Sequence, residues 1–296
     1  LSSSSAASDV YKRQGLNANN ISKFMGILNG TSNFILSKMT QDQTTFEDAL
    51  EEAKRLGFAE ADPTDDVDGV DAARKVVITS YLSFNQVIKL NDVQLTGIRN
   101  TTLSDINAAK ALGYKIKLIG KGTYNNGKVN ASVEPTLIDE KHQLAAVENE
   151  YNAIYVIGDA VGDTMFYGKG AGSLATGSAV VSDLLNVALF FESNLHTLPP
   201  HFELKTEETR EMMDNEEAVL VQEKLNFYVV LKSQAQSEEK LEKELKSHLP
   251  FHKSLKVTKR DADTYAIVIL GLDQSPEQLL NDAGFDVNKV YPVEGV

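Results

Sequence analysis

Six of the twelve residues from Glu60 to Asp71 are acidic, so a fold that orders them must bring mutually repelling carboxylates together. A bound cationic group would offset that repulsion. The segment Gly57-Phe58-Ala59-Glu60-Ala61-Asp62-Pro63-Thr64-Asp65-Asp66-Val67-Asp68-Gly69-Val70-Asp71-Ala72-Ala73-Arg74-Lys75 reads as an acidic loop from Glu60 to Asp68, then an apolar-rich helix running from Gly69 to about Leu82. On that helix Asp71 and Lys75 are four residues apart and share a face, with the acid on the favourable N-terminal side. By spacing alone this is a surface ion pair worth about a few tenths of a kcal/mol. The continuation Val76-Val77-Ile78 makes the helix largely buried and puts the pair at a cleft.

Patterning on either side is that of an α/β chain. Phe24 to Leu28 reads as a short buried strand, and Asn29-Gly30-Thr31-Ser32 as a tight turn into a helix ending near Met39. Thr44 and Glu47 form a capping-box pattern for a helix whose apolar face is Phe46, Leu50, Ala53 and Leu56, with Gly57 as its stop. Lys115 to Gly120 and Lys128 to Pro135 flank Asn126-Gly127, a strong hairpin signal. Ala153 to Ile157 and Thr164 to Tyr167 read as two more strands. The segment Thr176 to Phe191, apolar at most positions, reads as a buried helix. Helices and strands of this order imply one mixed sheet rather than a repeated strand-helix alternation.

After a charged linker containing Pro199-Pro200, the last quarter reads as strand Asn226 to Leu231, helix Ser237 to His248, strand Ser254 to Lys259, strand Thr264 to Leu270, helix Pro276 to Asp282 and strand Lys289 to Pro292. This βαββαβ order suits a ferredoxin-like module. The expected division is a non-native or disordered leader over 1–14, a first domain over 15–200, a linker over 201–221 and a second domain over 222–296. The leader is a Ser- and Ala-rich tract without periodicity, and the chain does not begin with Met.

Bulk properties remove several function classes. The net charge of -13 disfavours nucleic acid and anionic membranes as partners. The absence of cysteine rules out disulfides, thiolate metal sites and thiol nucleophiles. The histidines His142, His196, His201, His248 and His252 lack paired-ligand spacing, so no metal site is expected. No apolar window approaches the length of a membrane span, which points to the cytosol.

Two glycine turns could carry binding. Gly168-Lys169-Gly170-Ala171-Gly172 precedes a helix, and its amides could approach a phosphate or ring closely. Ser173 stands where the third glycine of a dinucleotide fingerprint would fall, so the turn by itself reads as tight packing between strand and helix. Asn29-Gly30-Thr31 leads into a helix N-terminus that could receive a carboxylate, while Asn29 or Thr31 could equally cap the helix; the roles are compatible.

Together, Gly26 to Leu36, Gly57 to Lys75, and Tyr167 to Gly172 with the helix through Asp183 resemble homoserine dehydrogenase over about Gly15 to Phe191. The resemblance implies hydride transfer between a nicotinamide cofactor, NADP or NAD, and the oxygen-bearing carbon of L-homoserine or L-aspartate 4-semialdehyde, in the pathway to threonine, methionine and isoleucine. It implies Lys75 as proton donor and acceptor and Glu60 and Asp71 as holders of the substrate's amine and hydroxyl. Asp66, Gly30 and Thr31 would share the pocket, and Gly57 with Gly170 or Gly172 would touch the cofactor. A lysine there suits an aldehyde whose reduction builds negative charge on oxygen. Phe58 stands where many members have tyrosine. The family's N-terminal Rossmann domain does not match any part of this chain, so the chain is expected to be a truncated form, inactive alone. The tail resembles an ACT module, which implies an amino-acid effector, although Lys232 to Gln236 replaces the usual effector turn; a homodimer is also implied. The alternatives are a non-catalytic amino-acid-binding regulatory protein and a bare dimerisation unit.

Overall fold

The structure is a computed structural model that describes residues 16, 18–192, 225–235, 237–249 and 252–295. The expected leader over 1–14 and the linker with Pro199-Pro200 lie outside the described residues. Strand β1 (Ile21–Ile27) sits between β3 (Tyr114–Asn125) and β5 (Tyr151–Gly158), antiparallel to both. Alternate residues of β1 serve opposite faces. Phe24 joins Ile35, Met39, Val76 and Leu118 under the helices, while Met25 and Ile27 join Ile119, Leu144 and Tyr155 on the other side. Strand β4 (Lys128–Asp139) pairs with β3 through the expected hairpin, where Asn126 and Gly127 both have positive φ. Short β2 (Gln94–Leu95) lies beside β4, and β6 (Gly162–Lys169) beside β5.

Helices α1 (Gly30–Asp42), α2 (Phe46–Arg55) and α4 (Val70–Phe84) form as the periodicity predicts. Three local expectations need correction. The cap of α2 is one residue later than expected: Thr45, not Thr44, accepts the Asp48 amide, and its hydroxyl donates to Asp48 Oδ2 at 2.7 Å. The acidic loop contains a one-turn helix, α3 (Thr64–Val67), because Asp62 Oδ1 accepts from both Thr64 N and Thr64 Oγ1, and Asp65 and Asp66 sit at its positive end. Helix α5 (Leu103–Leu112) is an element the apolar pattern does not announce, yet Thr102 and Asp105 form a reciprocal capping box and Gly113 ends it in the left-handed region.

Helix α6 (Ser173–Glu192) corrects the expectation of burial, since Leu174 is 88% exposed and Val181, Leu184 and Leu185 are exposed too. Its composition asks for cover on every side, and the described residues do not supply it.

The last quarter is β7 (Leu225–Lys232), α7 (Glu238–His248), β8 (Ser254–Lys259), β9 (Thr264–Leu272), α8 (Glu277–Asp282) and β10 (Asp286–Glu294). Its strand order β10-β7-β9-β8 is ferredoxin-like. It keeps its own core of Leu231, Leu241, Leu245, Ile267 and Leu280. Parallel pairing of Val293 with Leu137 and Glu294 with Ile138 makes one continuous mixed sheet of both halves. The junction is charged: Glu294 accepts from Lys23 on β1 at 2.8 Å and from Lys121 on β3 at 2.9 Å. Fully buried Asp105 of α5 faces Arg260 at 3.1 Å and Lys289 at 2.5 Å. Among the described residues no helix is long and apolar enough to cross a membrane.

Candidate functional site

Strand β1 ends at Ile27 and delivers Leu28 and Asn29 to the mouth of α1. Asn29 does two things with one amide. Its Oδ1 accepts the Ser32 amide at 2.8 Å and caps the helix, while its Nδ2 donates to Asp66 Oδ1 at 2.6 Å and Asp71 Oδ2 at 2.9 Å. The carboxylates of α3 and α4 are thereby tied to the end of β1. Lys75, one turn after Asp71, donates to Asp71 Oδ2 at 2.7 Å and to the Leu28 carbonyl at 2.9 Å, and its side chain is only 12% exposed. That exposure decides against an open-surface ion pair.

These groups line a cavity of about 610 Å³ together with Gly30, Thr31, Gly57, Phe58 and the turn from Lys169 to Ser173. Thr31 Oγ1 donates to the Phe58 carbonyl at 2.6 Å, and the Phe58 ring packs on Phe34 with centroids 4.9 Å apart, so α1 holds the loop after α2 in place. A side chain at Gly30 would put its Cβ 2.7 Å from the Glu150 carbonyl, which explains the glycine at the first residue of the helix. Burial raises the Asp66 pKa; the Asn29 hydrogen bond opposes this and the neighbouring Asp71 carboxylate adds to it. A cationic guest would favour the charged form of this carboxyl.

Of the residues singled out from sequence, Lys75, Asp71, Asp66, Gly30, Thr31, Gly57, Gly170 and Gly172 all line this cavity. Glu60 does not; it is an exposed residue of the loop after α2. The cavity also has members that sequence reasoning passed over, Glu150 and Asn152. They sit just before and within the start of β5, where nothing in the local pattern sets them apart; only the fold of β5 against β1 brings Asn152 to Leu28 and Glu150 to Gly30. Lys169 reaches Glu150 at 3.4 Å and lies over the Tyr151 ring. No group of acidic or histidine side chains among the described residues is arranged to hold a metal ion.

Residues 9–185, more than half of the chain, match the family described as homoserine dehydrogenase. The chain belongs to the homoserine dehydrogenase family. Residues 224–296 match the homoserine dehydrogenase C-terminal domain. The homoserine dehydrogenase of Bacillus subtilis is 53% identical over 174 residues, 59% of this chain and 40% of that protein. That of Neisseria gonorrhoeae is 45% identical over 189 residues, covering 64% of this chain and 43% of that protein. The chain's matches thus span about 40% of the length of these curated relatives. Among solved structures, homoserine dehydrogenase of S. aureus is 74% identical with a TM-score of 0.82, covering 94% of this chain and 67% of that one. A hyperthermophilic archaeal homoserine dehydrogenase mutant in complex with NADPH is 29% identical with a TM-score of 0.53, covering 64% of this chain and 55% of that chain.

Proposed function

We propose that this chain carries the substrate-binding and proton-transfer part of a homoserine dehydrogenase, which interconverts L-homoserine and L-aspartate 4-semialdehyde with NADP or NAD in the route to threonine, methionine and isoleucine. The observation that carries the reading is the Lys75 ammonium, nearly enclosed, held between Asp71 and the Leu28 carbonyl at the wall of the cavity. A lysine fixed there can give a proton to the oxygen of an aldehyde as it is reduced and take it back from the hydroxyl in the reverse direction. Asp71 and the Leu28 carbonyl keep its nitrogen aimed, and water exclusion strengthens its attraction for developing negative charge. Asp66, and Asn29 through Asp66 and Asp71, suit the substrate's ammonium end. Glu60 fits a direct substrate contact only after movement of the loop that bears it.

The nicotinamide nucleotide, when bound, supplies the hydride acceptor or donor. The residues present fit its ring end: three of the five residues from Gly168 to Gly172 are glycines, and Cβ atoms at Gly168 and Gly172 would meet nothing within 4 Å, so open space lies beside that backbone. Gly57, Gly170 and Gly172 are the residues assigned to it. This sequence carries no dinucleotide fingerprint, and the pyrophosphate is read as the cargo of a nucleotide-binding domain other than the two units of this chain. The ferredoxin-like C-terminal unit is read as an ACT-type regulatory module for an amino-acid effector, and the working unit as a homodimer.

The test is homoserine-dependent NAD(P)H formation by this chain alone and by the chain fused behind the N-terminal part of the S. aureus relative. Activity of the fusion, lowered by about two to four orders of magnitude in Lys75→Ala, is the expected result. A folded, inactive fusion that still binds an amino acid would replace this reading with a regulatory amino-acid-binding protein.

A further inference from the structure

Asn152, near the start of β5, pairs in the sheet with Gly168 and lines the cavity. Its Nδ2 donates to the Leu28 carbonyl at 3.4 Å, the same carbonyl that receives Lys75. That contact sets the orientation of the amide, because the reversed amide would turn oxygen toward oxygen. Its Oδ1 is then left buried without a hydrogen-bond partner. An orphaned amide oxygen is unfavourable in a folded protein unless something else supplies the donor. The two residues that flank Oδ1 are glycines. Cβ at Gly30 would come 3.5 Å from Oδ1, and Cβ at Gly170 would overlap the Asn152 amide group. Glycine at both positions keeps side-chain carbon off the amide, which lies at the cavity wall with Asp66, Asp71 and Glu150 and has Oδ1 just beneath its surface.

We infer that Asn152 is a specificity-determining residue of this pocket, whose Oδ1 accepts a hydrogen bond from an N–H group of the bound ligand. The inference rests on the dehydrogenase reading, and under it two donors have the right chemistry: the ammonium group of the amino-acid substrate and the carboxamide N–H of a nicotinamide ring. An oxygen placed one carbonyl away from Lys75 selects for a molecule that presents nitrogen beside its reacting oxygen.

The experiment is calorimetric titration of the fusion described above and of its Asn152→Leu variant with L-homoserine, γ-hydroxybutyrate, NADP+ and its acetylpyridine analogue, which lacks the amide N–H. Circular dichroism and melting temperature establish that each variant folds. The expected result is a loss of about tenfold or more in homoserine affinity with no change for γ-hydroxybutyrate, which identifies the substrate ammonium as donor. Weakened NADP+ binding with unchanged binding of the acetylpyridine analogue identifies the carboxamide instead and equally supports an N–H acceptor. Asn152→Ala, which removes the oxygen without adding apolar bulk, should show the same selective loss, and it carries the test if Asn152→Leu does not fold. Equal losses for each ligand and its N–H-free analogue, or no loss for any, would overturn the inference while leaving the dehydrogenase reading intact. If the unaltered fusion binds neither homoserine nor nucleotide, the dehydrogenase reading falls and takes the inference with it.

Discussion

At the scale of single residues, half-buried Asp66 and buried Lys117 make predictions of opposite kind. Asp66 is held above its ordinary carboxyl pKa of 3.8, first by burial and further by Asp71, against the pull of Asn29. An ammonium ligand prefers the charged form, so affinity for L-homoserine should fall on acidification with a midpoint in the free protein above 3.8. Asp66→Asn should bind more weakly at neutral pH and lose that step; calorimetry across a pH series checks it, and an unchanged pH profile would remove Asp66 from the ammonium site. Lys117 lies beneath the helices, donating to the Val147 carbonyl at 2.6 Å and to Asn33 Oδ1 at 3.1 Å. Burial, then the Lys115 ammonium, pushes its pKa from 10.5 down to about 7, against the opposing pull of Glu148. Between those two values the unfolded chain binds the additional proton, so Lys117 makes stability rise with pH across that window, at about 1.4 kcal/mol per pH unit when fully expressed. Lys117→Met should flatten the rise in urea melts taken at successive pH values. The same slope in both proteins would mean that Lys117 is not buried as a titrating amine.

At the scale of elements, the glycine turn between β6 and α6 is defined by what its residues lack. Gly170 abuts Asn152 so closely that a methyl group there would overlap the side-chain amide, whereas Cβ at Gly168 would meet nothing within 4 Å. Gly170→Ala is therefore expected to cost about 1–3 kcal/mol in stability and to weaken ligand binding, with Gly168→Ala close to unaltered in both. Thermal melts and homoserine titration of the pair decide it; equal effects would mean that the turn yields freely. The elements around it were unequally legible. Hairpin β3–β4 announces itself by Asn126-Gly127, and α2 and α4 by their apolar faces. Helix α5 escaped the apolar pattern although its Thr102 and Asp105 cap and Gly113 stop were in plain sight. A cap marks a helix end through a few local hydrogen bonds, so it carries weight even where the face it precedes is short.

At the scale of the whole molecule, the two halves are joined through β10, and the largest apolar cluster runs across the junction to Tyr228, Tyr291 and Val293. Burial alone would raise the Glu294 carboxyl, but Lys121 and Lys23 outweigh it and hold the pKa below its ordinary 4.5. A depressed carboxyl pKa contributes stability that is complete above the unfolded value and is lost as pH falls through the folded one. Glu294→Gln should leave two ammonium groups facing a neutral amide and lower stability by on the order of 3 kcal/mol near neutral pH, with the difference from the unaltered chain shrinking in acid below 4.5. Chemical denaturation at several pH values tests this, and a pH-independent difference would assign the effect to packing instead.

The sequence by itself determined the elements whose reasons are local: apolar periodicity, the turn at Asn126-Gly127, the βαββαβ order of the last quarter, and the Asp71–Lys75 spacing on one helix. It also brought out the acidic segment, because charge density needs no neighbours to be read. Only the tertiary structure decided which of those acids face the cavity, with Asp66 and Asp71 tied to Asn29 and Glu60 left outside. Only the tertiary structure, too, brought Asn152 to Leu28 and Glu150 to Gly30 and exposed the apolar sides of α6. The division has a physical cause. Hydrogen bonds within a turn or helix depend on residues a few positions apart, whereas a pocket is a coincidence of chain segments more than a hundred residues apart, fixed by sheet register and by what packs over it.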